Sequence, residues 1–345
     1  MSFTVATVNV NGIRAAAKVR NENNLGILPW LEETPADVVL MQEVRADEAQ
    51  TQKALAPALE AGWHLAQAPA AAKGRAGVAI LSRLPLKDVQ VGFGHEDNPD
   101  HPGAERAARE FDDSGRYIEA TVEANLAAAD GKPAVGEVRV ASLYLPSGAA
   151  NTEKQDEKYR FLDAFAPFMH QRAATGDAML IGGDWNICHR RADLKNWRTN
   201  RTKSGYLPSE RAFLDHVLGT HPDSQTQVGD AEDSGRTGNP GGGAADFYGA
   251  VEYQPGELAK ARLEAGAATE PGFHDVVRHL HPNEDGPYSW WTYRGKAFDT
   301  NAGWRIDLHA VTDDLLGRAE EAWVDRAAAY DQRWSDHSPV VVRFG

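Results

Sequence analysis

The sequence predicts an α/β chain in which strands and helices alternate along its length. Two observations carry that reading. Short aliphatic runs of strand length recur, as in Phe3 to Val10, Asp37 to Met41 and Met179 to Ile181, and each stops at polar residues or glycine. Helical patterns lie between several of them, the longest from Thr152 to Thr175. A chain of 345 residues buries a sizeable core without difficulty. No internal repeat appears and no linker separates two cores, so one domain over 1–345 is expected.

Phe3 to Val10 is a strand by its β-branched content and ends in Asn9-Val10-Asn11-Gly12. Residues two apart on a strand share a side, so Asn9 and Asn11 face one way. Asn-Gly is also a strong turn signal. A helix covers part of Leu25 to Glu33 and stops before Pro35. The second buried strand, Asp37 to Met41, ends in Gln42-Glu43. A glutamate there sits over a strand-end pocket, where ligand sites of α/β proteins lie; an exposed loop acid is the other reading. Asp47 to Glu60 is helical in pattern. Strands follow near Trp63 to Ala66, Val78 to Ser82 and Leu86 to Val91. His95 to Ser114 is polar and charged, a loop. Tyr117 to Glu123 and Glu137 to Leu145 are further strands, and Tyr144 is a strand-end phenol before Pro-Ser-Gly.

In the long helix, Thr152 and Gln155 form a capping box, and Tyr159, Leu162, Phe165, Ala166 and Met169 make a core-facing stripe. The next strand, A-M-L-I-G-G-D-W-N-I from Ala178 to Ile187, organises the chain. Asp184 and Asn186 share one side after two glycines: a carboxylate to take a proton and an amide to hold the water that loses it. The same residues are good turn chemistry. A helix follows from Ser209 to Leu218, a flexible glycine-rich stretch from Asp230 to Asp246, and a short helix from Glu257 to Ala265. The glycine-rich stretch lacks the Lys-Ser/Thr of a phosphate loop. Ser289 to Tyr293 and Arg305 to Thr312 read as two more strands, rich in tryptophan. At least one of Trp290, Trp291 and Trp304 belongs to the core. Asp307 lies inside an apolar strand, where a lone carboxylate is costly and needs a partner. Asp336-His337, just ahead of the last strand Val340 to Phe344, supplies one.

The net charge of -14 argues against indiscriminate binding of polyanions. Any nucleic-acid contact must be local. From His189 to Arg211 the chain carries seven Lys or Arg against Asp193 and Glu210, with Trp197 and Tyr206 interleaved. A solvated loop is the plain reading; its place directly after Asp184 and Asn186 favours a nucleic-acid contact. The N-terminus has no basic stretch followed by an apolar one, so no signal peptide is expected. No apolar run reaches the length of a membrane span. The single cysteine, Cys188, excludes an intrachain disulfide and reads as a small buried residue. A cytoplasmic protein is expected.

The strand-end polar groups are Asn9, Asn11, Glu43, Tyr144, Asp184, Asn186, Asp307, Asp336 and His337. They are rich in oxygen donors, without clustered Cys or His, which selects Mg²⁺ or Mn²⁺. No Gly-x-Ser-x-Gly elbow occurs and Cys188 has no evident base. An activated water attacking a phosphodiester, with a metal to neutralise charge, fits best.

Four blocks of the chain resemble the exonuclease III family of abasic-site endonucleases, within the endonuclease/exonuclease/phosphatase superfamily. They are A-D-V-V-L-M-Q-E-V-R from Ala36 to Arg45, and Asp184 to Asn186 followed by D-L-K-N and G-Y-L-P-S-E-R. The others are D-V-V-R-H with Y-S-W-W between Asp275 and Trp291, and N-A-G-W-R-I-D-L-H-A-V-T from Asn301 to Thr312. Arg45 stands where lysine is usual in that family. Two stretches, 95–114 and 220–272, look like loop insertions. The resemblance implies a four-layered α/β sandwich of the DNase I-like kind, two mostly antiparallel sheets face to face with helices outside.

It also implies roles. Glu43 would be the principal Mg²⁺ ligand, helped by Asp336 and by Asn9 and Asn11. Asp184 would activate the water and Asn186 would hold it and the phosphate; both are also candidates for a second metal position. His337, oriented by Asp307, would bind a phosphate oxygen. Tyr144 would bind the phosphate or help the leaving oxygen. Trp290, Trp304 and Ile306 would line a pocket for a flipped-out abasic sugar. Arg190, Lys195, Arg198, Arg201 and Lys203 would track the DNA backbone. The implied activity is Mg²⁺-dependent cleavage of double-stranded DNA 5′ to abasic sites, with removal of 3′-terminal nucleotides or blocking groups, by a monomer. Two alternatives stay open: a superfamily phosphodiesterase acting on phospholipid or RNA, and a DNA-binding protein with a dead site.

Overall fold

The structure, a computed structural model, describes residues 2–72, 74–93, 110–127, 133–219 and 247–345. Its strands are β1 (Phe3–Asn9), β2 (Val38–Gln42), β3 (His64–Ala68), β4 (Val78–Ser82), β5 (Lys87–Val91), β6 (Tyr117–Ala127), β7 (Pro133–Tyr144), β8 (Met179–Asp184), β9 (His274–Asp275), β10 (Asp307–Val311), β11 (Ala319–Val324) and β12 (Val340–Phe344). Its α-helices are α1 (Ile13–Ala16), α2 (Leu28–Glu33), α3 (Glu48–Ala54), α4 (Ala56–Glu60), α5 (Glu153–Ala174), α6 (Trp197–Asn200), α7 (Pro208–Leu218), α8 (Glu257–Ala265), α9 (Val276–Leu280) and α10 (Asp313–Leu316).

The strands form two six-stranded sheets, β11-β12-β1-β2-β4-β3 and β5-β6-β7-β8-β10-β9. Only β1–β2 and β7–β8 are parallel pairs; the other pairs are antiparallel. Alternation along each strand builds the layers. Val5, Leu40, Val140, Leu180 and Val311 meet in the core between the sheets. Their neighbours Ala6, Val8, Val39 and Met41 face outward onto Ile13, Leu31, Leu55 and Ala58 of the first helical layer. Ala141, Ile181, Leu308 and Ala310 face the opposite way, onto Phe161, Phe165, Phe213 and Leu214 of α5 and α7. Helix, sheet, sheet, helix: the four-layered sandwich implied by the sequence resemblance is the observed fold.

Some local expectations give way to tertiary context. The helix expected over Asp47 to Glu60 is broken at Leu55, because Pro57 has no N–H to continue the ladder. Gln155 does not close a capping box: Thr152 accepts from the Lys154 N–H at 3.3 Å, while the Gln155 amide turns to Glu210 at 3.1 Å. Ser289 to Tyr293 is not a strand. Trp290 forms single-residue bridges to Trp304 and to His337, so no ladder extends on either side. β11 escaped the reading because it is an edge strand with two exposed glutamates and little apolar content. The glycine-rich stretch from Asp230 to Asp246 lies outside the described residues, as does most of the loop from His95 to Ser114. Among the described residues, no helix is long and apolar enough to cross a membrane.

Candidate active site

Strand register assembles the site. Tyr144 on β7 pairs with Asp184 on β8, and Asp184 pairs with Asp307 on β10. The three residues therefore form one row across adjacent strands, each with the parity of the inter-sheet face. The row sits where β8 leaves the sheet. Two glycines shape this end. A Cβ on Gly182 would meet Leu40 of the facing sheet at 2.6 Å, and one on Gly183 would collide with the Leu143 carbonyl oxygen. The facing sheet contributes Asn9, at the end of β1. Its Nδ2 donates across the gap to Asp184 Oδ2 at 2.9 Å and to Glu43 Oε1 at 3.0 Å.

Three of the strand-end residues adopt left-handed backbone: Asn11 at φ 48°, Glu43 at φ 49° and Asn186 at φ 51°. Asparagine tolerates this region; glutamate seldom does, and such strain clusters at functional sites. The turn suggested by Gly-Asp-x-Asn is present: the Asn186 N–H donates to Asp184 Oδ1 at 3.0 Å. The Asn186 amide Nδ2 donates to the Leu145 carbonyl at 2.8 Å, which holds the carboxamide beside the end of β7.

His337 closes the row. Its Nδ1 lies 2.9 and 3.1 Å from the two carboxylate oxygens of Asp307, and its Nε2 lies 3.8 Å from Asp184 Oδ2. Burial alone would favour a neutral ring. The Asp307 carboxylate overrides it, with Asp184 and Asp336 adding, and pushes the imidazole up to about 10. Nδ1–H is therefore spent on Asp307, and a second N–H at Nε2 faces the pocket. Burial pushes the Asp184 carboxyl up to about 7; the charges of Asp307 and Glu43 add to this, and His337 and Asn9 oppose it. Burial and the charges of Glu43 and Asp184 raise the Tyr144 phenol well above its ordinary range.

On the open side, Asp336 accepts from Asn11 Nδ2 at 2.8 Å and from Trp290 Nε1 at 3.1 Å. His337 holds the Asp336 carboxyl below its ordinary value against the effect of burial. Arg45 donates to Asn11 Oδ1 at 2.7 Å and pairs with Glu43. The sequence marks Arg45 only as an unusual residue at its position; both it and Glu43 lie beyond β2 in left-handed backbone, where strand parity gives no signal.

Glu43, Asp184 and Asp336 thus converge through Asn9, Asn11 and Arg45. The oxygen atoms of both asparagines already accept hydrogen bonds, Asn9 Oδ1 from the Asn11 N–H and Asn11 Oδ1 from Arg45. Each of those amide oxygens keeps a second lone pair, so the carboxylates and both asparagines offer oxygen donors to a cation. Glu43 and Asp184 meet on one amide, Asn9 Nδ2, and Asp336 joins them through Asn11; a set of carboxylate oxygens gathered this closely fits a hard divalent ion. Asp184, Asp307 and His337 also place ligand atoms within 4.8 Å of one another.

An apolar wall adjoins the row. Trp290, Trp304 and Ile306 pack with Cys188, Leu194, Trp197 and Tyr206. The Trp290 and Trp304 rings meet edge to face at 5.8 Å, and Trp290 lies 6.4 Å from the His337 ring. Trp291 belongs elsewhere, in a core with Tyr288 and Phe298. Cys188 is buried, its thiol pushed well up by that burial.

The basic loop borders the same wall. Leu194 bridges to Trp304, and Asp193 is fixed by Arg305 at 2.7 Å and Arg278 at 2.5 Å. Lys195, Arg198, Arg201 and Lys203 are exposed. Arg190 differs: its guanidinium turns inward to Asp215 on α7, so it ties the loop to the body of the protein. Arg198, Arg191 and Arg201 surround the Trp197 ring at 4.6, 5.5 and 6.0 Å.

Comparison with known proteins agrees with this architecture. An exodeoxyribonuclease of Bacillus subtilis (strain 168) is 26% identical over 332 residues, spanning 96% of this chain and 95% of that protein. The 3′ phosphatase NExo from Neisseria, solved bound to a product DNA hairpin, superposes with a TM-score of 0.66 at 22% identity, with 99% of each chain covered. An AP endonuclease from Archaeoglobus fulgidus superposes with a TM-score of 0.63 at 23% identity, again with 99% of each chain covered. The model of one family matches residues 6–337, a span that takes in every residue of the row and of the tryptophan wall. The resemblance carried by the four sequence blocks therefore holds over nearly the whole chain, which belongs to the endonuclease/exonuclease/phosphatase family.

Proposed function

We propose that this chain is a metal-dependent DNA repair nuclease that hydrolyses the phosphodiester 5′ to abasic sites and trims blocked or terminal residues at 3′ ends. One observation supports this most. An imidazolium held by Asp307 and a buried carboxyl at Asp184 face one another at 3.8 Å, beside a tryptophan-lined wall and an exposed basic loop. The first pair suits a phosphodiester; the wall and loop suit a base-free sugar on a DNA strand.

In this reading Asp184, once ionised, takes a proton from the attacking water, and Asn186 holds that water against the phosphate. His337 Nε2–H donates to a non-bridging phosphate oxygen and stabilises the charge that builds there. Asp307 fixes the ring and keeps it protonated. The bond from phosphorus to the 3′ oxygen breaks, and the neutral Tyr144 hydroxyl is placed to donate toward phosphate or leaving oxygen. Glu43 with Asp336 would hold Mg²⁺ or Mn²⁺, which supplies charge neutralisation when bound. Asn9 and Asn11 fix those carboxylates through their amide N–H groups, and their amide oxygens would help hold the ion. Trp290, Trp304 and Ile306 accept the flipped sugar and exclude an intact nucleotide by size. Lys195, Arg198, Arg201 and Lys203 follow the backbone.

A labelled duplex with one abasic analogue, beside an intact duplex, tests the reading in Mg²⁺ and in EDTA. Incision at the analogue in Mg²⁺ only is the expected result. Absence of incision by folded, DNA-binding protein would overturn the nuclease reading and favour a dead site.

A further inference from the structure

Away from the row of acids, Lys158 of α5 and Glu210 of α7 form an ion pair at 2.9 Å, both side chains fully buried. Burying two charges is costly, and apolar replacements of such pairs are often neutral or stabilising. Stability alone is a weak reason for this pair. Its hydrogen bonds suggest another.

The three ammonium hydrogens of Lys158 have three acceptors: Glu210, the Asn186 carbonyl at 2.9 Å and the Ser147 carbonyl at 3.4 Å. Glu210 accepts in addition from the backbone N–H of Gly205 at 2.7 Å and of Leu207 at 3.0 Å. The Gln155 amide donates at 3.1 Å, and the Ser204 hydroxyl shares its one hydrogen between Glu210 at 3.0 Å and the Ser147 carbonyl at 2.7 Å. Asn186 is the left-handed residue two beyond Asp184. Ser204 and Gly205 end the basic loop. Gly205 passes so close to the sugar-pocket wall that a Cβ there would meet the Trp304 ring at 2.9 Å and the Asn186 carbonyl at 3.3 Å. One buried pair thus grips the Asn186 turn, the far end of the basic loop and, through Gly205, the tryptophan wall.

We propose that Lys158, acting with Glu210, is a positioning residue that couples the basic loop to the Asn186 turn, so that DNA engaged by the loop presents its phosphate in register with Asp184. This rests on the nuclease reading given above. Neither residue touches substrate. The coupling follows from shared partners: a loop displaced by DNA pulls on Glu210 through the Gly205 N–H, and Lys158 passes that constraint to the Asn186 carbonyl.

Lys158→Met alone leaves Glu210 charged and unpaired, and loss of folding there would say nothing. The informative protein is the double variant Lys158→Met with Glu210→Gln, which removes both charges and keeps an acceptor for Gly205 and Leu207. Ser204→Ala, which cuts one tether, is the milder companion. Two readouts are taken on full-length protein with an abasic duplex. The first is the single-turnover incision rate at saturating DNA, beside DNA affinity. The second is amide hydrogen exchange over 184–188 with and without DNA in EDTA, which needs no turnover. We expect the folded double variant to bind DNA within about threefold of wild type. Its incision should slow by about tenfold or more, and DNA should no longer protect 184–188. Ser204→Ala should lie between. An unchanged rate, a loss confined to DNA affinity, or DNA-induced protection equal to wild type would each overturn the coupling. Should wild type bind DNA without incising it, the nuclease reading falls, and the exchange readout still decides the coupling.

Discussion

Asp307 and His337 meet through both carboxylate oxygens, 2.9 and 3.1 Å from Nδ1, and this contact decides which proton the ring keeps. His337 is raised to about 10 in the folded chain. The stability of the pair is therefore fully present below the unfolded histidine value, about 6.5, and is lost as pH rises through the folded value. In an NMR titration of the metal-free protein, the His337 ring should stay protonated past pH 9 or so. Asp307→Asn should bring its midpoint down by one or more units and slow turnover by roughly tenfold to a hundredfold. A midpoint near 6.5 in wild type would contradict this assignment.

Asp184 carries a complementary prediction. Burial and neighbouring acids raise its carboxyl to about 7, so near neutral pH a fraction of the metal-free protein holds a proton there. A cation at the carboxylates favours the ionised form. Adding Mg²⁺ or Mn²⁺ at pH 6.5 should therefore release a large fraction of one proton, measured by calorimetry in buffers of different ionisation heat. Asp184→Asn should release almost none.

The basic loop divides by where its cations point. Arg198→Glu with Arg201→Glu should weaken DNA binding and lower the slope of log affinity against log salt by about 2, or roughly 0.9 per phosphate contact. Arg190→Ala should leave that slope unchanged and lower thermal stability, because its guanidinium is committed to Asp215. Equal effects of both changes on the salt slope would return the loop to an undifferentiated charged surface.

Gly183→Ala tests the close approach of β7 and β8. The added Cβ would collide with the Leu143 carbonyl oxygen, next to the pairing of Tyr144 with Asp184. Overpacking of this kind costs about 1–3 kcal/mol. Denaturant unfolding should show that loss, and the spacing of the row should suffer with it.

Much of this was legible from residue pattern. The aliphatic runs announced β1, β2, β8, β10 and β12, and strand parity within single segments joined Asn9 to Asn11 and Asp184 to Asn186. A lone carboxylate inside an apolar strand demanded the partner that His337 provides. What escaped depended on contacts between distant segments. The inward turn of Arg190 requires Asp215 on α7, and the link from Gln155 to Glu210 joins two helices. Arg45 draws its meaning from Asn11 on the neighbouring loop. β11 is recruited by β12 rather than by its own apolar content, and Trp290 pairs across a single residue. No local period records these relationships.

The most direct test of the central claim compares wild type with Asp184→Asn on one abasic duplex, measuring affinity in EDTA and incision in Mg²⁺. The expected result is retained affinity, within a few fold, and turnover reduced by at least about a thousandfold. Turnover close to wild type in the variant would contradict the assignment of Asp184 as the group that takes the proton from water.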